Sequence, residues 1–254
     1  SATIRAMTPF HARKIDDDNE PGTGTMGFLE HLDELRKRLI RSFIAIAVAM
    51  GVAWFFIDRI ATFVLAQILR TLPPKSELIY TNPADGFSFW FNLAFIAALV
   101  ISAPFVMYQV WGFIAPGLYS HEKKMAIPFV LVSSLFFIAG AAFAHYYVFP
   151  LTFKFFGSFS SDSITFMPRI EPAFGLYMKL ILIFGAIFQM PTVVALLARL
   201  GLVTARFMWR NFKYAFFAIF IIGAVLSPGT DPVGQIAMAG PMTVLYLISI
   251  LFAW

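Results

Sequence analysis

Six stretches of this chain, residues 42–57, 86–121, 125–153, 180–198, 214–230 and 232–254, contain no Asp, Glu, Lys or Arg. No other sequence feature narrows the choice of fold as much. Charged residues make up 13% of the chain and hydrophobic ones 59%, against about a quarter and about half in soluble domains. The charges are absent from long blocks rather than thinned throughout. Each block is long enough, or nearly so, to cross a hydrocarbon core that takes roughly 20 helical residues. The pattern predicts an all-α polytopic membrane protein with six transmembrane helices.

Basic residues set the expected orientation. With the N-terminus inside and the loops alternating, thirteen of the 19 Lys and Arg fall on the inner side and six on the outer. Arg36, Lys37, Arg38 and Arg41 cluster just before the first span. By the positive-inside rule the N-terminus is cytoplasmic, and six spans return the C-terminus to the same side. The net charge of +5 then reads as topology marking and lipid contact rather than as a nucleic-acid footprint. Residues 1–25 hold Asp16, Asp17, Asp18, Glu20 and no apolar run, so no signal peptide is visible. They are expected to form a disordered cytoplasmic tail ahead of a membrane domain over residues 26–254.

The connections differ in kind. Residues 58–85 and 154–179 are expected as long irregular caps on the outer side, whereas residues 227–232 read as a tight turn, with Asp231 as N-cap and Pro232 at the first helical position of the last span. From Tyr214 to Leu226 the fifth span is short, about 20 Å of helix against roughly 30 Å of hydrocarbon, so local thinning of the bilayer is predicted beside spans five and six. No internal repeat, broken helix or intramembrane charge supports a small-molecule or ion transporter, the alternative from another functional class.

Chemistry-bearing residues are sparse. The chain has no cysteine, which excludes disulfides and thiolate metal sites. His145, near the expected outer end of span three, reads as an interfacial hydrogen-bonding group rather than a catalyst. No nucleophile elbow, zinc helix or phosphate loop occurs, so neither enzymatic activity nor a cofactor or metal is expected. Two features remain, both on the expected cytoplasmic side. Phe28, Leu32, Leu35 and Leu39 form one stripe of an amphipathic helix leading into span one. On its other faces Glu34 stands four residues before Arg38, within ion-pairing reach, and spacing alone suggests a solvated interfacial helix. Glu122 is the only acidic residue between Asp85 and Asp162. Either it receives a cation brought by a partner, or Lys123 and Lys124 neutralise it.

Taken together, the run from Phe28 through Glu34 to Leu39, Ser102-Ala103-Pro104, the segment Tyr108 to Lys124 and Val148-Phe149-Pro150-Leu151 closely resemble the TatC family, the signal-peptide receptors of the twin-arginine protein translocase. The resemblance runs from about Phe28 to the end of the chain. It implies six spans in a concave arrangement in the cytoplasmic (inner) membrane. It also implies a receptor and assembly core that recognises paired-arginine signal peptides of folded cargo for export driven by the proton-motive force. Position by position, Glu34 and Glu122 become the contacts for the two guanidinium groups, with Phe113, His31 and Arg36 on the same surface. Ser227, Asp231 and Gln235 match the polar cluster where the single-span partners TatA and TatB dock, within a larger complex in which this chain is itself a homo-oligomer. Pro73 matches a proline that shapes the first outer cap. One departure stands in span four: Gln189 occupies a position where many family members carry glutamate. An amide there hydrogen-bonds without titrating, and it is expected to face the concave interior and polarise it.

Overall fold

The structure, a computed structural model, describes residues 28–114, 126–161, 163–227 and 232–254. The expected tail, Glu122 and Asp231 lie outside the described residues. Among the described residues the protein is helical, with α1 (Phe28–Phe55), α2 (Ile57–Thr71), α3 (Pro83–Ile114) and α4 (Ala126–Phe143) in order. A π-helical turn (Ala144–Val148) joins α4 to α5 (Phe149–Gly157). Then come α6 (Ile170–Ile187), α7 (Met190–Arg199), α8 (Ala205–Arg210), α9 (Phe212–Leu226) and α10 (Pro232–Phe252). Five helical segments are long and apolar enough to cross a bilayer: α1, α3, α4 through α5, α6 through α7, and α10. With the shorter apolar α9 they make the six spans read from the sequence.

Stacking of His31 on Phe113 and of the Arg199 guanidinium over Phe129 puts the start of α1, the end of α3, the start of α4 and the end of α7 at one face, here the proximal face. The distal face carries α2, the end of α5 and the start of α6, and the main core lies towards it. Ala61, Val64 and Ile68 of α2 pack with Phe89, Leu93, Phe149, Phe153, Phe174 and Phe184.

Three expectations change. Residues 58–85 are not an irregular cap: Ala61, Val64, Ile68 and Thr71 recur at helical spacing and are all buried, so burial of that stripe holds residues 57–71 as a helix. Residues 154–179 are helical at both ends, since α5 runs to Gly157 and α6 starts at Ile170, so the irregular connection is shorter than expected. Finally, span four is broken. Pro191 has no N–H to continue the ladder, and the chain turns at Phe188 and Gln189 between α6 and α7.

The distal connections are tied together. Ile79 N–H donates to Pro168 O and Ile170 N–H to Ile79 O, at 3.2 and 2.8 Å. Asp85, 2% exposed in the first turn of α3, accepts from Arg169 Nη2 at 2.9 Å, where the helix N-terminus favours its charge. That bond also raises the Arg169 pKa, holding the guanidinium more firmly in its charged form. Pro73 packs where a Cβ on Gly157 would come within 2.8 Å of its Cγ.

The 15 residues of α9 give about 22 Å of helix against roughly 30 Å of hydrocarbon. Bilayer thinning beside α9 and α10 is the expected accommodation. Reconstituted protein with spin-labelled lipids should report headgroups displaced inward near Val225; headgroups at normal depth would contradict this.

Candidate functional site

The apolar stripe of the first helix is not its packing face. Leu29, Leu32, Leu35 and Leu39 are exposed, while the less exposed positions are His31, Glu34, Arg38 and Ser42, spaced three or four apart along one face. This polar stripe faces the end of α3. His31 stacks on Phe113 with ring centroids 4.2 Å apart and planes 16° from parallel. Arg38 lies against Gly112, where a Cβ would come within 2.1 Å of Nη1. Only a residue without a Cβ lets the guanidinium rest there.

Arg38 donates from Nε and Nη2 to the same oxygen of Glu34, Oε1, at 2.9 and 2.6 Å. The side chains of Arg38 and Glu34 are 21% and 18% exposed. Glu34 Oε2 is buried and has no hydrogen-bond partner among the described residues. Gln109 Oε1 is in the same condition. Gln109 lies about 40° around α3 from Phe113 and about 60° from Gly112, on the side that meets α1. The seam between α1 and α3 therefore presents two buried acceptors without donors, one of them on a carboxylate. Buried polar atoms are paired in the great majority of native cases; two acceptors left open on one seam mark a surface suited to an incoming donor.

Not every residue expected at this surface joins it. Arg36 is exposed, about 200° around α1 from Glu34. The exposed pair of Lys37 with Asp33, at 2.6 Å, contributes little to stability. Gly112 and Gln109 were not assigned a role from the sequence, and for Arg38 only its reach to Glu34 was read, a pair the structure shows. The spacing of His31, Glu34, Arg38 and Ser42 was the available signal for Arg38.

Gln189 is held by one neighbour. Its Nε2 donates to Ser133 O at 3.0 Å, and its Oε1 accepts from the Ser133 hydroxyl, which also lies 3.4 Å from Met107 Sδ. Ser133 is 1% exposed, so both ends of the amide are satisfied at the junction of α4 with the break in span four. At the distal end of α9, Ser227 N–H donates to Gly223 O at 2.9 Å, while Ser227 Oγ is buried without a partner among the described residues. Gln235 Nε2 donates to Phe220 O at 3.1 Å, tying α10 to α9. His145, expected near an interface, is buried in the π-helical turn, with Nδ1 2.9 Å from the Tyr177 hydroxyl and its ring stacked on Phe63.

The family model for the Sec-independent protein translocase protein (TatC) matches residues 30–241. A relative from Koribacter versatilis, the Sec-independent protein translocase protein TatC, is 40% identical over 228 residues, covering 89% of this chain and 84% of its own length. The protein of the same description from Helicobacter pylori is 40% identical over 223 residues, covering 88% and 87%. Two crystal structures of the twin arginine translocase receptor TatC superpose with TM-scores of 0.75 and 0.77 at 36% and 35% identity. Each covers 88% of this chain, with 97% and 99% of its own length matched. This chain belongs to the TatC family of Sec-independent protein translocase proteins.

Proposed function

We propose that this protein is the membrane-embedded receptor and assembly core of a twin-arginine translocase, receiving paired-arginine signal peptides at its proximal face. The observation that carries the reading is the free, buried Glu34 Oε2 on the seam between α1 and α3, beside the stacked rings of His31 and Phe113. A guanidinium approaching this seam finds a carboxylate oxygen already desolvated, and charge-assisted bonds of this kind are the strong ones. Glu122 supplies the second carboxylate, while Arg36, exposed on another face of α1, does not contribute to the seam. The proximal face is cytoplasmic, in keeping with the basic cluster before α1, and the membrane is the inner one.

At the distal face the Ser227 hydroxyl, buried without a partner among the described residues, and Gln235 suit docking of TatA and TatB type single-span subunits, a role that Asp231 shares. Pro73 shapes the cap by filling the space beside Gly157. The chain has no catalytic turnover of its own; it acts in a larger complex with further copies of itself, and the proton-motive force drives export. The transporter alternative draws no support from the family to which the chain belongs.

The test is binding of a fluorescent peptide with paired arginines to the detergent-purified protein, against the same peptide with paired lysines. Lysine keeps the charge but loses the planar fork, so at least about a tenfold weaker Kd is expected, the worth of one to two charge-assisted hydrogen bonds. Equal binding of the two peptides would remove the receptor reading.

A further inference from the structure

A cavity of about 610 Å³ opens at the distal face between α5 and α6. Phe153, Phe156, Phe166 and Pro172 supply apolar wall, and the two charged residues on its lining are Arg169 and Lys179. Both charged residues are donors with unused capacity. Arg169 spends Nη2 on Asp85 and, more loosely at 3.7 Å, on Glu171, but its Nε is buried without a partner. Lys179 makes no ion pair among the described residues. The acidic groups Asp85 and Glu171 are both directed to Arg169.

Lys179 is the last charged residue before the apolar run of residues 180–198, which places it at the edge of the hydrocarbon. An exposed lysine at such an edge is long enough to bring its ammonium to the interface. The buried Arg169 Nε–H has no acceptor among the described residues and the exposed Lys179 ammonium makes no ion pair there, so an acceptor with negative charge suits both. The apolar walls between them suit an amphiphile rather than a bare anion, which would lose its hydration there. We infer that this cavity binds an anionic phospholipid of the distal leaflet, its phosphate held by Lys179 and the Arg169 Nε–H and its glycerol and upper acyl chain lying against Phe153, Phe156 and Phe166.

Gly175 also lines the cavity, and a Cβ there meets nothing within 4 Å, so Gly175→Leu fills the space without a clash against the fold. The inference does not depend on the receptor role, and the thermal midpoint of each variant in detergent provides the check that it is folded. Native mass spectrometry of the full chain, given equal amounts of phosphatidylglycerol and phosphatidylcholine with identical acyl chains, should show about fivefold preferential retention of phosphatidylglycerol, the effect of one basic residue near an anionic headgroup. Lys179→Gln should abolish the preference, Lys179→Arg should keep it, and Gly175→Leu should reduce retention of both lipids. No preference in the wild-type protein, or a preference untouched by both Lys179→Gln and Gly175→Leu, would overturn the assignment. Displacement of phosphatidylglycerol by inorganic phosphate at constant ionic strength would do so as well, by showing a site for a free anion.

Discussion

Glu34→Gln is expected to weaken binding of a paired-arginine peptide by about tenfold to a hundredfold, the difference of one charge-assisted hydrogen bond, while leaving the protein folded. The amide retains an oxygen to accept from Arg38, so the contact within α1 at 2.6 Å keeps its geometry and loses its charge. The buried Oε2 is replaced by an amide NH2 that only donates, which is the wrong polarity for a guanidinium. Glu34→Ala is the cruder probe, because it leaves the Arg38 guanidinium partly buried and unpaired, and stranding one partner of such a pair destabilises the fold. Titration of the peptide against wild type and Glu34→Gln, with the thermal midpoint of each recorded, separates the two effects. Unchanged affinity in a folded Glu34→Gln protein would show that the open carboxylate oxygen is not where arginine binds.

Gly140→Leu is expected to prevent stable folding, and Gly140→Ala to lower stability by about 1–3 kcal/mol, the usual cost of overpacking. Here α4 and α6 approach backbone to backbone: a Cβ at Gly140 would lie 2.4 Å from Phe184 O and 2.9 Å from its carbonyl carbon. No rotamer change relieves a clash with backbone. The same crossing is locked from the other side by Gly185, where a Cβ would meet the Phe137 ring at 2.7 Å. Gly51, on the exposed face of α1 with nothing within 4 Å of a Cβ, is the control. Gly51→Ala should be neutral or slightly stabilising through helix propensity. Thermal unfolding in detergent measures all three; a Gly140→Ala midpoint equal to that of Gly51→Ala would contradict the close crossing.

The spans were legible because charge cannot be spread through hydrocarbon, so the blocks free of Asp, Glu, Lys and Arg mark α1, α3, α4, α6 and α10 before any packing is known. Short α9 was legible for the same reason. What the periodicity could not convey was α2, whose stripe of Ala61, Val64, Ile68 and Thr71 sits among prolines and charges that read as a loop. The broken span four was also missed: Pro191 was visible, but a helix can bend at proline or stop there, and the neighbours decide which.

At the candidate site the sequence supplied Glu34, His31 and Phe113, through resemblance more than through spacing, and it did not supply their arrangement. The first helix carries two stripes at helical period, Leu32, Leu35 and Leu39 on one side and His31, Glu34 and Arg38 on the other. In water the leucine stripe would be the one to bury. In a bilayer lipid tails are as apolar as leucine, so nothing drives that stripe into the protein, and helices associate instead through small residues, packing and polar contacts. Sequence alone therefore determined which segments enter the membrane, because the cost of burying charge is a property of each residue. Only the tertiary structure decided which face of α1 meets α3, because that depends on whether Gly112 leaves room for Arg38 and whether Phe113 is there to stack on His31.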